Sequence, residues 1–375
     1  MSYDVPFIRP NFPDSRLVAA DFDEIQESNW FTNFGPKERS FSNRIAGFVG
    51  DGTHAITVAN ATLGLIALIH VRLGRGDGTR AVVVPSFTFA AGPEAIEWCG
   101  YRPVFIDIEV DSLQPSLDGA RAAVEKIDVA GILLCNSFGI GNAEIHEWED
   151  WARGAGLPLL IDSAAGFGSA YPDGRLLGSA GDAEVFSFHA TKPFAIGEGG
   201  AIVTRDAALV EQLRSFQNFG FGPERRVASL GLNAKLPELS AAIGLRQFQG
   251  FEDRLERRRA VVARYRCLLG PEWRMPAFAE LSSVCFATVV APDVRAREEA
   301  LNRLESAGIE ARRYYDPIVT DQPHFVSSEI VGRLPITREI TSRVMSLPVH
   351  DHMSDAIVDR IAATVSGSRV DVGSR

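Results

Sequence analysis

A chain of 375 residues, 46% of them hydrophobic, is too apolar to stay disordered and long enough for one large α/β domain with a smaller companion. Its 38 basic and 48 acidic residues leave a net charge of −10 with no basic block, which argues against a nucleic-acid backbone as partner. No apolar run approaches the roughly 18 residues of a membrane span, and the opening MSYDVPFIRPN lacks the apolar core of a secretion signal.

The chain begins with an extended FIRPNFP, a helical run over 16–28, a turn at Asn33-Phe34-Gly35-Pro36 and a second helix reaching about Gly50. From Ile56 a βαβ rhythm takes over. Strands are predicted at 56–59, 81–85, 103–108, 131–137, 157–163, 184–190 and 200–204, with helices at 62–73, 90–99, 116–126 and 144–156. Strands apolar from end to end and separated by helices predict a mostly parallel sheet buried on both faces. The last two have no helix between them and are expected to run antiparallel.

Beyond residue 250 the texture changes. FEDRLERRRAVVARY is a charged helix with apolar Leu255, Val261, Val262 and Tyr265; SVCFATVVA reads as a strand, and REEALNRLESAGI and DAIVDRIAATV as helices. Two domains follow: residues 1–250, a large α/β domain with an N-terminal arm, and residues 251–375, a small α+β module. No low-complexity linker separates them, so they should pack together. The terminal RVDVGSR is expected to fray.

Cys99, Cys135, Cys267 and Cys285 show no CxxC spacing and read as small buried hydrophobes in a reducing, cytoplasmic compartment. His350 and His352 share a face of an extended segment, but no third ligand is near in sequence, so no metal is expected. Only four of the 38 basic residues are lysines: Lys37, Lys126, Lys192 and Lys235. Arginine cannot replace lysine where a deprotonated primary amine must attack a carbonyl, so amine chemistry here has four candidates.

Lys192 stands out among them. It lies in FSFHATKPFAIGEGG, between a buried strand and a Gly-rich turn, where desolvation would lower an amine pKa. Asp162 ends the apolar strand LPLLID and needs a partner; it is either a cap for the following turn or the anionic partner of a protonated ring nitrogen. A lysine for the aldehyde and an aspartate for the pyridinium suit pyridoxal phosphate. Such a site needs a phosphate cradle, and Asn60-Ala61-Thr62, between a strand and a helix, supplies free N–H groups at a helix N-terminus.

With VANATLGL, VPSFTFAA, GDAEVFSFHATK, EGGAIVT and GLNAKLPELSAAIGL, and with TNFGP, RRYYDP and SLPVHDHMS flanking them, the chain resembles the DegT/DnrJ/EryC1/StrS family of pyridoxal-phosphate-dependent sugar aminotransferases over essentially its whole length. Within it, the combination resembles the enzymes acting on nucleotide-linked keto-deoxyhexoses. The resemblance implies the aspartate-aminotransferase-like fold type I and a homodimer with active sites at the interface. It also implies that Lys192 holds the cofactor as a Schiff base and that Asp162 pairs with its ring nitrogen. The Ala61 and Thr62 amides and Ser187 would bind the phosphate, Phe89 would lie on the ring, and Asn233 would reach the phosphate of the neighbouring subunit.

Two positions depart from the family pattern. Ala165 stands where a Gln or His usually bonds the cofactor's 3-oxygen, so that bond is missing or supplied by another group, such as water or Ser163. CNSFGIGNA, with Asn136, replaces V-H-L-W/Y-G-x-P. Both departures are expected at or near the substrate side. The leading reading is an aminotransferase that takes the amine from glutamate and gives it to a keto-sugar. The same chemistry on a cyclitol or another non-nucleotide ketone is an alternative. The intact Lys192/Asp162 pair argues against a further one, a non-catalytic cofactor-binding or regulatory protein, and Lys192 also argues against the family's dehydratase branch, which carries histidine there.

Overall fold

The βαβ alternation read from residue 56 onward is realised as a single mixed sheet. The computed structural model describes residues 3–222 and 224–367; the RVDVGSR segment lies outside them. Helices α1 (Ser15–Ser28) and α2 (Pro36–Val49) precede β1 (His54–Val58) and α3 (Ala61–Leu73). Next come β2 (Ala81–Pro85), α4 (Ala91–Trp98), β3 (Arg102–Ile106), α5 (Leu117–Val124), β4 (Val129–Cys135), α6 (Ile145–Ala155) and β5 (Leu159–Asp162). β6 (Ala183–Ser187), β7 (Gly200–Thr204), α7 (Ala207–Phe216) and α8 (Glu238–Gln247) follow. The C-terminal part holds α9 (Phe251–Leu268), β8 (Phe286–Val290), α10 (Val294–Ser306), β9 (Glu329–Ile330), α11 (Pro335–Arg343), β10 (Val344–Pro348) and α12 (Asp355–Ser366).

The large sheet has the order β1-β7-β6-β5-β4-β2-β3-β9. Its pairs are parallel except β1–β7 and β6–β7, so the expected antiparallel step is present. Helices cover both faces, which explains why its strands carry no polar alternation. A second, two-stranded sheet pairs β8 with β10 antiparallel, and its core joins Val262 and Tyr265 of α9 to Leu304 of α10 and Ile361 of α12. Phe87 and Phe138, from the loops after β2 and β4, belong to that same cluster. The chain then returns to the large sheet, where β9 pairs with β3 and Phe325 packs edge-on against Phe105.

Sequence reading missed α7, α8, α11, β9 and β10. Helix α8 opens on a proline and owes its place to packing: a Cβ on Gly244 would sit 2.3 Å from the Phe41 ring of α2. Its Glu238 supplies the cap that α2 lacks, its carboxylate accepting from the Lys37 and Glu38 amides at 2.8 and 2.9 Å. An anion at a helix N-terminus is favoured by the aligned peptide dipoles. Neither contact has a local sequence signal.

The strand predicted over 184–190 stops at Ser187 because the chain folds back: the Phe188 amide donates to Gly199 O and the Ile196 amide to Phe188 O. This closed loop carries Lys192. Its buried Phe188 and Phe194 pack on Phe167 at 5.2 and 5.0 Å between centroids, and Phe194 also meets Phe248 and Phe251 at 4.9 Å. The lysine loop is thus anchored on both sides by apolar burial. Phe194→Ala should cost about 3–5 kcal/mol of stability. Denaturant unfolding measures this, and a loss under 1 kcal/mol would show the loop is held by something else.

Candidate active site

In a mostly parallel α/β sheet, the carboxyl edge is where ligands gather. Here β5 ends on Asp162, which pairs in register with Val185 of β6, and Ser187 at the end of β6 pairs with Gly200 of β7. Helix α3 starts at the same edge. Asn60 caps it by accepting the Leu63 amide at 2.9 Å, leaving the Ala61 and Thr62 amides among those a helix cannot satisfy internally. A Cβ on Gly200 would lie 3.1 Å from Ala61 N and 2.5 Å from Phe186 O. The α3 N-terminus and the ends of β6 and β7 therefore meet at one point, and only a glycine leaves it open.

Asp162 is 6% exposed. Its Oδ1 accepts the Ala164 amide at 2.9 Å, while Oδ2 has no donor among the described residues and lies 3.9 Å from where a Cβ on Gly92, in the first turn of α4, would be. Burial raises its pKa, and the Ala164 amide and the Lys192 charge draw it back. Lys192 is half-buried on a turn closed by its own amide to His189 O at 2.9 Å. Its ammonium forms no hydrogen bond or ion pair with the described residues and acts on Asp162 only through space. Ser187 is buried, its hydroxyl accepting the His189 amide at 3.3 Å. Phe89, two residues before α4, leaves a large aromatic face 64% exposed beside this edge.

The structure thus brings Ala61, Thr62, Phe89, Asp162, Ser187 and Lys192 to one edge. Asn233 stands apart. Its neighbour Ala234 accepts the Ala59 amide, but its own side chain is exposed and takes Lys235 Nζ at 2.7 Å. Tyr315, seen in sequence only as part of the RRYYDP motif, enters from the C-terminal part: its ring stacks on Phe138 at 5.5 Å and meets Phe87 edge-on at 5.6 Å. Burial holds its hydroxyl well above the usual phenol range, with Cys135, Asp162 and Cys285 adding to the effect. Its motif, RRYYDP, is visible in sequence; its meeting with the ends of β2 and β4 is tertiary.

Three expectations are corrected. Asn136 is 1% exposed and does not face a substrate: its Nδ2 donates to Ser163 Oγ at 2.9 Å and to Tyr171 Oη at 3.1 Å. Ser163 cannot supply the bond missing at Ala165, because its hydroxyl is buried and donates to Glu184 Oε2 at 2.5 Å. Cys267 is exposed on α9 and is no core residue, although the other three cysteines are buried. Lys37, another of the four lysines, is half-buried and ion-paired to Asp21 and Glu24 at 3.0 and 2.6 Å. The His350 and His352 rings lie 6.3 Å apart, and the described residues hold no group of three side chains fit for a metal.

Glu184 was not singled out by sequence. It is fully buried on β6, and burial pushes its carboxyl from 4.5 up to about 7 against the donors around it. In the unfolded chain it ionises near 4.5, so between that pH and about 7 the folded state binds more protons and stability falls as pH rises. The shift corresponds to about 3 kcal/mol lost across this window. Relative to Glu184→Gln, wild-type unfolding free energy should fall by that order from pH 4.5 to 7. Parallel curves for the two proteins would contradict it.

Comparison with known proteins sets this geometry in context. The model of the DegT/DnrJ/EryC1/StrS aminotransferase family matches residues 15–366. The chain is 47% identical over 372 residues to protein Rv3402c of Mycobacterium tuberculosis (strain ATCC 25618 / H37Rv), covering 98% of this chain and 90% of that one. It is 29% identical to the dTDP-4-amino-4,6-dideoxy-D-glucose transaminase of Shigella dysenteriae, covering 95% and 97%. Among solved structures it superposes on DesI, determined in the presence of its TDP-sugar product, with a TM-score of 0.88 at 33% identity, covering 97% and 93%. This match gives the fold as that of the fold type I aminotransferases. Among the described residues no helix is long and apolar enough to cross a membrane.

Proposed function

This chain belongs to the DegT/DnrJ/EryC1/StrS aminotransferase family, a pyridoxal-phosphate-dependent family of sugar aminotransferases, and from that premise we propose that it moves the amino group of L-glutamate to a nucleotide-linked keto-deoxyhexose. One observation carries the reading: an unpaired lysine, a buried carboxylate with a free oxygen and a helix N-terminus converge on the carboxyl edge of one sheet. The sugar side rests on the family and on relatives whose names specify nucleotide-linked amino sugars.

The residues fit the cofactor. Asp162 Oδ2 is reachable and without a donor, as a protonated ring nitrogen requires, and Gly200 keeps the space beside the Ala61 amide free for a phosphate. When bound, pyridoxal phosphate supplies the aldehyde and the electron sink of transamination. The chain supplies the rest. Ala61, Thr62 and Ser187 hold the phosphate through N–H groups, a hydroxyl and the helix dipole. Phe89 offers a flat apolar face for stacking. Asp162 keeps the proton on the ring nitrogen; desolvation makes its lone charge costly and an ion pair with the ring favourable. Lys192 Nζ, without a hydrogen bond or ion pair among the described residues, would hold the aldehyde and would move the proton to and from the substrate carbon.

Lys192→Ala should fold normally, since among the described residues the ammonium makes no hydrogen bond or ion pair, and should lose the visible band of the loaded protein. Turnover should fall at least about 1000-fold. The function itself is tested by adding glutamate to loaded protein, which should bleach that band, and then screening keto-sugars, with and without a nucleotide, for its return. A variant that transaminates at the wild-type rate, or a band indifferent to glutamate, would end the proposal.

The same reading makes the active unit a homodimer in which Asn233 serves the partner's phosphate. Asn233 is exposed, and Phe219, Val227 and Leu230 on the same segment expose apolar surface that a second copy would cover. Inactive Lys192→Ala chains mixed with Asn233→Asp chains should then regain part of the activity, because one site of the mixed dimer collects neither defect. No recovery despite proven subunit exchange would put Asn233 outside the partner's site.

A further inference from the structure

Directly behind Asp162, four buried side chains form a closed network. Asn136 Nδ2 has two protons and gives one to Ser163 Oγ at 2.9 Å and one to Tyr171 Oη at 3.1 Å. Each hydroxyl then has a single proton left, and both turn it to Glu184: Ser163 to Oε2 at 2.5 Å, Tyr171 to Oε1 at 3.1 Å. The Ala180 amide donates to Oε1 at 3.1 Å, and Asn136 Oδ1 accepts the Asn142 amide at 3.1 Å. Every donor has an acceptor in one orientation only. That orientation requires an acceptor on both oxygens of residue 184, which Glu184 provides when ionised, above the pKa of about 7 to which burial pushes it, and which an amide does not.

Beside the network, two backbone bonds of the sheet hold the single peptide between Asp162 and Ser163. The Asn136 amide donates to Asp162 O at 2.9 Å, and the Ser163 amide to Val185 O, next to Glu184, at 2.9 Å. No cation pairs with Glu184 among the described residues; hydroxyls and amides alone compensate its charge. A fully buried carboxylate without a counter-ion is a poor stabiliser. It accounts for itself better by what it fixes. The three residues Asn136, Ser163 and Glu184 also lie in the two segments flanking the site, CNSFG and IDSAAG, and in GDAEVF, and the first two segments are those in which this sequence leaves its family's pattern.

We propose that Glu184 is a positioning residue for Asp162: it locks the side chains of Ser163, next to Asp162 in the chain, and of Asn136, whose amide bonds Asp162 O, and so holds the 162–163 peptide beside the carboxylate. The inference rests on Asp162 as the partner of the cofactor's ring nitrogen. Glu184 touches neither cofactor nor substrate. Its action is confined to the direction in which the Asp162 carboxylate points.

The test uses the full-length protein, stripped of and reloaded with pyridoxal phosphate. Above pH 7, where Glu184 is ionised, Glu184→Gln places a donor against the Ser163 hydroxyl or against the Tyr171 hydroxyl and the Ala180 amide, and should weaken cofactor binding about tenfold in titrations of the stripped protein. It should also displace the pH midpoint of the bound cofactor's visible band by about half a unit, because the ring nitrogen senses where the carboxylate lies. Ser163→Ala, which removes one oxygen atom and keeps the fold if Glu184→Gln does not, should shift both readings the same way. The double variant should be no worse than either single one, since both act through one path. A folded Glu184→Gln or Ser163→Ala protein with wild-type affinity and midpoint, or strictly additive effects, would overturn the inference. Wild-type protein that takes up no pyridoxal phosphate would overturn the functional reading beneath it, an outcome seen before any variant is made.

Discussion

A carboxylate at the end of a strand buried on both faces is costly unless something positive or hydrogen-bonding meets it, and Asp162 is such a group. It has one amide of its own, from Ala164, and the distant charge of Lys192. Everything else at this edge of the sheet relates to that incomplete solvation. The α4 first turn approaches with a glycine, Asn136 just after β4 donates its amide to the Asp162 main-chain carbonyl rather than to the carboxylate, and the neighbouring strand β6 carries Glu184, to which Ser163 and Tyr171 donate. The second carboxylate oxygen stays open, and its electrostatic demand is what a protonated ring nitrogen answers.

The lysine loop solves the opposite problem. Lys192 must be held without being paired, because an amine committed to an ion pair is a weak nucleophile. Apolar packing does this. Phe188 and Phe194 sink into an aromatic cluster with Phe167, Phe248 and Phe251, and the backbone of residues 188–199 closes on itself. The side chain between them is therefore fixed at its base and free at its tip. The C-terminal part completes the walls, since Tyr315 stacks on Phe138 and Ser283 Oγ donates to Ala165 O at 2.9 Å. A site assembled from two layers in this way responds to both, and the loops after β2 and β4 lie in the core cluster of the small sheet.

Much of this was legible in the chain as written. Seven of the eight strands of the large sheet were located to within a few residues because burial on both faces forces continuous apolar runs, and β2 and β7 matched from end to end. Lys192 was found because three other lysines are few to weigh, and Asp162 because an acid after an apolar strand must be accounted for. What stayed hidden has a common physical character. The Glu238 cap on α2 spans about two hundred residues, and β9 is two residues long and gains its identity only from pairing with β3. Asn136 looked like a substrate-side substitution until its amide was found turned inward.

By itself the sequence determined the kind of sheet, the chemistry available at its carboxyl edge and the family to which that chemistry belongs, because periodicity, strand ends and residue type are local properties. The tertiary structure decided which groups are spent and which are free. Ser163 and Asn136 proved committed to Glu184, Lys192 and Asp162 Oδ2 proved open, and Tyr315 proved a wall of the site. Hydrogen bonding is exclusive: a donor used on one partner is lost to another, and which partner wins depends on groups brought together from distant parts of the chain.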